Sequence, residues 1–525
     1  MRDFNPEDPN TKYDQYSHYD QLPRLLKRFS FAEKMRIANK YSSQWLEYRK
    51  QDLQGKCLPW CLETFVMLSV ESKEYSDNGF NGNNECKFIT MYNAIFNATG
   101  DPLKSYSGEF SMKDIFIATT SSVQFDIQEC QEIKLYRYWT LFNDDKHLLN
   151  EDAVRKSGAK PLYLKDIFHD KFGTYYRDYC LLGYIIKRLT ILEAKNVKMT
   201  IPQKAYEYLV LERFQVAGEH LVISRDEYIE KQRACDKANK APQAYLYSLR
   251  PSYQFPFIEE DGRLYFPLPH LLIQSVTTAL YYRLTENDDT LRSQIGKNIL
   301  EPYLLKLLSE SGKYDEIYPE QTYQHKGEAR SPDVLARQGK NVLFVDSKST
   351  VPDIRIRNLV DEGFKHNIDI VGENIAKLYR QIHLFGKYSP FHGETSENTM
   401  DYWGVVVVLE DAYIPREYYY EVADKRLNIL DNIEEKDWLR SNIKVASLYE
   451  IERLSLSGNS IIDACQKLNA KNKLEYPFGD YEGRKLIIDN PKFKNFLEKL
   501  RASSCEIVRE MQENRAFDSG NAQKL

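Results

Sequence analysis

The residues best suited to chemistry lie together in the segment 331–350, SPDVLARQGKNVLFVDSKST. Asp333 opens one short apolar run, Gln338-Gly339 supplies a turn, and the return run closes on Asp346-Ser347-Lys348. Side chains alternate along a strand, so Asp346 and Lys348 share a face while Leu343 and Val345 point the other way, into a core. With Gln338-Gly339 as a two-residue turn, Asp333 lies diagonal to Asp346, ~7–8 Å away; with a four-residue loop the two stand directly opposite. Either register brings two carboxylates to one spot beside an ammonium. Two carboxylates and a few waters meet the octahedral oxygen demand of Mg²⁺, and Mn²⁺ accepts the same donors. Such a cation polarises a phosphoryl oxygen and acidifies a bound water. A lysine beside it orients that water and stabilises transition-state charge. The backbone carbonyl of Ser347 is placed as a third protein ligand.

These residues need a hairpin and elements to hold it. Strands are expected at 333–336 and 341–346, after helices at 271–284 and 291–308. A helix at 373–385 follows, then a strand at 404–409, GVVVVL, whose unbroken valines predict burial on both faces. Helical periodicity dominates earlier, around 22–48, 60–70, 134–143, 175–192 and 203–214. The stretch 250–270 has four prolines, with Asp261-Gly262 between two apolar-aromatic runs. It reads as a hairpin or extended linker and sets a domain boundary. Beyond Glu417 the chain reads as charged and helical, closing with an amphipathic helix through Phe493, Phe496, Leu497 and Leu500. The expected organisation is an α/β core at 271–416, a mainly helical recognition, sensing or oligomerisation region at 1–270, and a helical extension at 417–525.

Pro332-Asp333, a short spacer and Asp346-Ser347-Lys348 resemble the PD-(D/E)XK nuclease superfamily. The likeness extends in order to the flanks, over about 291–411, under a quarter of the chain. Ile295-Gly296-Lys297-Asn298-Ile299-Leu300-Glu301 is similar to the helix whose glutamate helps hold the metal. Gln381 sits where many members carry a glutamine near the site, although Phe385 stands where that motif has a tyrosine. The resemblance implies a restriction-endonuclease-like core, a mixed sheet flanked by helices, within a larger helical chain. It implies Asp333, Asp346 and Lys348 as catalytic residues, Asp333, Asp346, Ser347 and Glu301 around Mg²⁺ or Mn²⁺, and Gln381 in support. The implied activity is hydrolysis of phosphodiester bonds, in double-stranded DNA, by a restriction or anti-phage defence endonuclease. A homodimer or a partner defence subunit fits cleavage of both strands. The competing reading is an inactive scaffold that keeps the fold and binds nucleic acid or partner proteins. The presence of Asp333, Asp346 and Lys348 together argues against it. Taken singly, each is as ordinary as Pro352-Asp353, which has no matching partner.

Composition narrows the partners. The chain of 525 residues carries a net charge of -5, so nucleic acid must be met by a local patch. Between Thr322 and Arg357, seven cationic residues face four acidic ones, a net of +3. Arg355, Arg357 and Lys340 are the candidate phosphate contacts. Eight cysteines without a Cys-x-x-Cys pair predict a reduced, cytoplasmic chain. No apolar window suits a membrane span, and the polar N-terminus predicts no leader. Walker, GxGxxG, HExxH and GxSxG motifs are absent from the sequence.

Overall fold

A strand buried on both faces needs apolar cover on both sides, and that requirement organises this chain. The computed structural model describes residues 22–46, 56–80, 84–99, 131–143, 163–195, 207–209, 211–237, 250–285, 288–324, 328–351, 356, 361–385, 400–412, 414–471 and 487–522. Its strands are β1 (Val222–Ser224), β2 (Phe257–Glu260), β3 (Arg263–Tyr265), β4 (Glu316–Pro319), β5 (Thr322–Gln324), β6 (Glu328–Arg330), β7 (Val334–Gln338), β8 (Asn341–Lys348), β9 (Asp401–Val408) and β10 (Ile443–Ser447). The helices used below are α1 (Gln131–Asn143), α2 (Tyr176–Lys195), α3 (Glu301–Glu310), α4 (Asp361–Phe385), α5 (Arg416–Leu427), α6 (Leu448–Leu456) and α7 (Pro491–Ala522). No described helix is long and apolar enough to cross a membrane.

The main sheet is mixed, in the order β10-β9-β8-β7-β4. β8, β9 and β10 run parallel, while β7 pairs antiparallel with both β8 and β4. Gln338 pairs with Asn341, so the hairpin turn is Gly339-Lys340, one residue later than Gln338-Gly339. Gly339 takes φ 60° there, the left-handed conformation that a tight hairpin needs at its first central residue. Val334 opposes Val345, so extending the register by one pair sets Asp333 directly across from Asp346. The diagonal alternative is excluded.

Alternation along β8 divides the interior. Leu343 and Val345 join a core with Val405, Val407 and the apolar stripe Leu304, Leu307 and Leu308 of α3. Val342 and Phe344 join a second core with Val406, Val408 and Leu378, Ile382 and Phe385 of α4. The first core also takes in side chains from 133–142, 164–186 and 493–507, the second from 22–45, 57–70, 80 and 88–95. Side chains from both sides of positions 270 and 416 therefore share each core. The sheet itself continues past 416, because β10 is a strand where a helical extension was expected. Its sequence, IKVAS, is buried throughout, and a short run without alternation carries no period that separates strand from helix.

The stretch 250–270 is a hairpin and not a linker. β2 and β3 turn through Asp261 and Gly262, both at positive φ, and β1 pairs parallel with β2. The expected helix at 291–308 spans Asp289–Glu310 but contains a π turn at Gly296–Leu300. Pro302 explains it: proline has no N–H and its ring crowds the carbonyl four residues back. The Glu301 N–H reaches the Gly296 carbonyl instead, and Glu301 is turned accordingly.

α4 packs tightly on both sides. A Cβ on Gly404 of β9 would lie 3.0 Å from Leu378 Cδ2, and one on Gly372 would lie 2.6 Å from Val422 Cβ and 2.8 Å from the Tyr419 carbonyl oxygen of α5. Gly372→Ala is therefore expected to destabilise the chain by about 1–3 kcal/mol through overpacking, against a helix-propensity gain of about 1 kcal/mol. Urea titration should give a lower midpoint at unchanged slope; an equal or higher midpoint would refute the close approach of α4 to α5.

Candidate active site

Asp346 lies near the C-terminal end of β8 and has no solvent exposure. Burying a carboxylate is costly unless opposite charge answers it. Two ammonium groups do so. Lys348, two residues along the same face of β8, places Nζ 2.8 Å from Asp346 Oδ2. Lys377, from α4 on the side that Asp346 faces, donates from Nζ to Oδ1 at 3.1 Å. Oδ2 accepts no well-aligned hydrogen bond, so its bond to the site is charge alone.

Asp333 sits across the hairpin just before β7. Its Oδ2 accepts from the Ser347 backbone N–H at 2.6 Å and from the Ser347 hydroxyl at 2.7 Å. One oxygen is thereby fixed to the strand end, which leaves Oδ1 for another partner. Burial, then the charge of Asp346, push the Asp333 carboxyl up to about 6, against the Ser347 hydrogen bonds and Lys348. Burial, then Asp333, push the Glu301 carboxyl up to about 8, with Lys297 and Lys348 opposing. Burial alone would lower Lys348, but Asp346, Asp333 and Glu301 together hold it above the ordinary lysine value. These side chains thus form one electrostatic cluster at the end of β8, three carboxyl groups answered by Lys348, Lys377 and Lys297.

The structure brings Asp333, Asp346, Ser347, Lys348 and Glu301 together. The contact Ser347 makes within the cluster runs through its N–H and hydroxyl, which hold Asp333. Gln381 lies one turn past Lys377 on α4 and is nearly buried. It donates from Nε2 to the Arg330 carbonyl at 3.0 Å, bracing the chain that leads into Pro332-Asp333. Lys340 does not belong to the cluster. It is in the hairpin turn, at the other end of β8 by ~3.4 Å per residue, where it is exposed and pairs with Asp401 at 2.9 Å; a phosphate contact there would lie away from the carboxylates. Arg355 and Arg357 lie outside the described residues. Lys377 was missed. The only sequence signal for it is its spacing of four from Gln381 on a helix, which puts both on one face.

No family model matches the chain, and neither a curated protein nor a solved structure matches it. A cleft of about 710 Å³ lies elsewhere, between helices; the carboxylates mark the site by their chemistry. Among the described residues no three His, Cys, Asp or Glu side chains stand close enough to hold a metal ion as they are. The donor set nonetheless suits a hard divalent cation: it is all oxygen, and both Asp346 oxygens already face positive charge. Asp333, Asp346 and Glu301 are the residues that would hold one.

The raised Glu301 acid has a consequence for stability. The folded chain binds that proton more tightly than the unfolded chain does, so its contribution is full below the ordinary glutamate value and is lost as pH rises through about 8. In metal-free buffer Glu301→Gln should therefore raise the melting temperature more at pH 9 than at pH 6. An equal gain at both pH values would remove Glu301 from the buried cluster.

Proposed function

We propose that this chain is a Mg²⁺-dependent endonuclease of the PD-(D/E)XK kind, hydrolysing phosphodiester bonds of double-stranded DNA in restriction or anti-phage defence. The observation that carries the reading is the end of β8, where buried Asp346 and Lys348 share a face and Ser347 holds Asp333 opposite. Asp333, Asp346 and Glu301 would hold the cation, with Mn²⁺ an acceptable substitute. When bound, it would polarise a phosphoryl oxygen and acidify a water. Lys348 stays protonated in this cluster and so cannot ligate; its ammonium orients the attacking water and stabilises charge gained in the transition state. Gln381 steadies the lead-in to Asp333.

The second reading, an inactive nuclease-fold scaffold, draws on one observation: Lys348 and Lys377 already occupy the cation-facing side of Asp346. Incubation of the chain with plasmid, linear DNA and RNA, with and without Mg²⁺ or Mn²⁺, separates the two. Metal-dependent DNA cleavage that disappears in Asp333→Ala and Asp346→Ala supports the endonuclease; no cleavage of any substrate supports the scaffold.

Lys348→Ala should cut the cleavage rate by ~10²–10³ while calorimetry still detects metal binding. Lys348→Arg should rescue only in part, because a planar guanidinium does not reproduce a compact ammonium. Near-normal cleavage by Lys348→Ala, or loss of metal binding in it, would sink the assigned role.

A further inference from the structure

A cleft of about 710 Å³ lies between α1, the helix Leu164–Phe172, the start of α2 and α7. That volume is within the range of small-molecule sites. Lys165, Arg177, Arg213 and Lys499 line it, with Asp178 as the one lining carboxylate. Four cations against one carboxylate give the lining a net charge of +3. Asp178 is 3.0 Å from Arg213 Nε, and Lys165 Nζ lies over the Tyr175 ring, 5.1 Å from its centroid. A chain with net charge -5 that gathers like charges in one cleft accepts their repulsion, and an anionic occupant removes it.

The walls are not those of a simple anion site. Trp139 of α1 is half-buried at the cleft, and Tyr175, just before α2, is 43% exposed. Phe496 packs edge-on against Trp139, with centroids 5.8 Å apart, and His169 backs Tyr175 at 4.5 Å, so both rings are braced from behind or beside. Arg177 belongs to the first turn of α2, where the helix dipole adds positive potential. A smaller cleft of about 240 Å³ shares Trp139 and Lys499 and adds Lys306, Lys492 and Glu310, the last two paired at 2.5 Å. Phosphate alone has no use for a tryptophan wall, and an apolar ring alone has no use for the cations. An aromatic base joined to several phosphates uses both. Lys165, Arg177, Arg213 and Lys499 come from separate elements around one cleft, an arrangement that a single nucleotide can fill; a strand is the competing occupant that the oligothymidylate arm tests.

We propose that this cleft binds a nucleoside polyphosphate, its base against Trp139 and its phosphates among Arg177, Lys499 and Lys165. The site is separate from Asp333 and Asp346 and stands whether or not those residues cleave DNA.

Calorimetry on the full chain in EDTA, which removes any divalent cation from the carboxylate cluster, tests it with ATP, GTP, adenosine, tripolyphosphate and a short oligothymidylate. At least one of the triphosphates should bind with one-to-one stoichiometry. Adenosine and tripolyphosphate should each bind at least ~10-fold more weakly, since each offers half of the contacts. Arg177→Glu with Lys499→Glu, both exposed positions, should abolish binding at an unchanged urea midpoint. Trp139→Ala should weaken it roughly 5- to 100-fold, and Trp139→Phe, which preserves packing on Phe496, should recover much of that loss. Asp333→Ala should bind as the parent does. The proposal is overturned by no binding of either triphosphate at millimolar concentration, by tripolyphosphate binding as tightly as ATP, by oligothymidylate displacing ATP with higher affinity, or by ATP binding that survives the double charge reversal.

Discussion

One buried charge sets the terms for the centre of this molecule. Asp346 has no solvent exposure, and an unanswered carboxylate in that position would cost several kcal/mol. Its answer comes from two elements, Lys348 at the end of its own strand and Lys377 on the next described helix, α4. For Lys377 to arrive, α4 must lie close on the sheet, which Gly404 permits, and against α5, which Gly372 permits. For Asp346 to stay put, β8 must be paired on both sides, with β7 antiparallel and β9 parallel. The second carboxylate, Asp333, is then tied to the same strand end by Ser347.

The elements nearest this charge were legible in the sequence, for a physical reason. The period of two along 341–348 sorts Leu343 and Val345 from Asp346 and Lys348, and the structure keeps that sorting in two separate cores. The valines of β9 predicted two-sided burial, and Val405 to Val408 are all buried. The approach of Asp333 to Asp346 followed from hairpin polarity. Its register did not, because a two-residue turn at Gln338-Gly339 and a four-residue loop were both open; the observed turn, Gly339-Lys340, gives the direct pairing that the longer loop implied.

What escaped reading depends on tertiary context. β1 is only three residues long, with Ile223 alone buried, and β10 is a short run buried throughout, with no usable period; each is a strand by its pairing with a neighbour. The π turn before Glu301 follows from Pro302, but the turn's approach to Ser349, where a Cβ on Gly296 would lie 2.9 Å from the hydroxyl, is a packing fact. Lys377 is an ordinary helical lysine until α4 is laid across β8. The boundaries placed at 270 and 416 followed composition, whereas the cores follow the two faces of the sheet.

The proposed endonuclease requires that a divalent cation can take the place the two ammonium groups now hold at Asp346. Diffraction from crystals soaked in Mn²⁺, with anomalous data, addresses this directly. The expected map has one anomalous peak at roughly 2.2 Å from oxygens of Asp346 and Asp333, with the Lys377 or Lys348 ammonium displaced from its carboxylate oxygen. A map with no peak at millimolar Mn²⁺ and both lysines still on Asp346 would contradict the metal site, and with it the proposed chemistry.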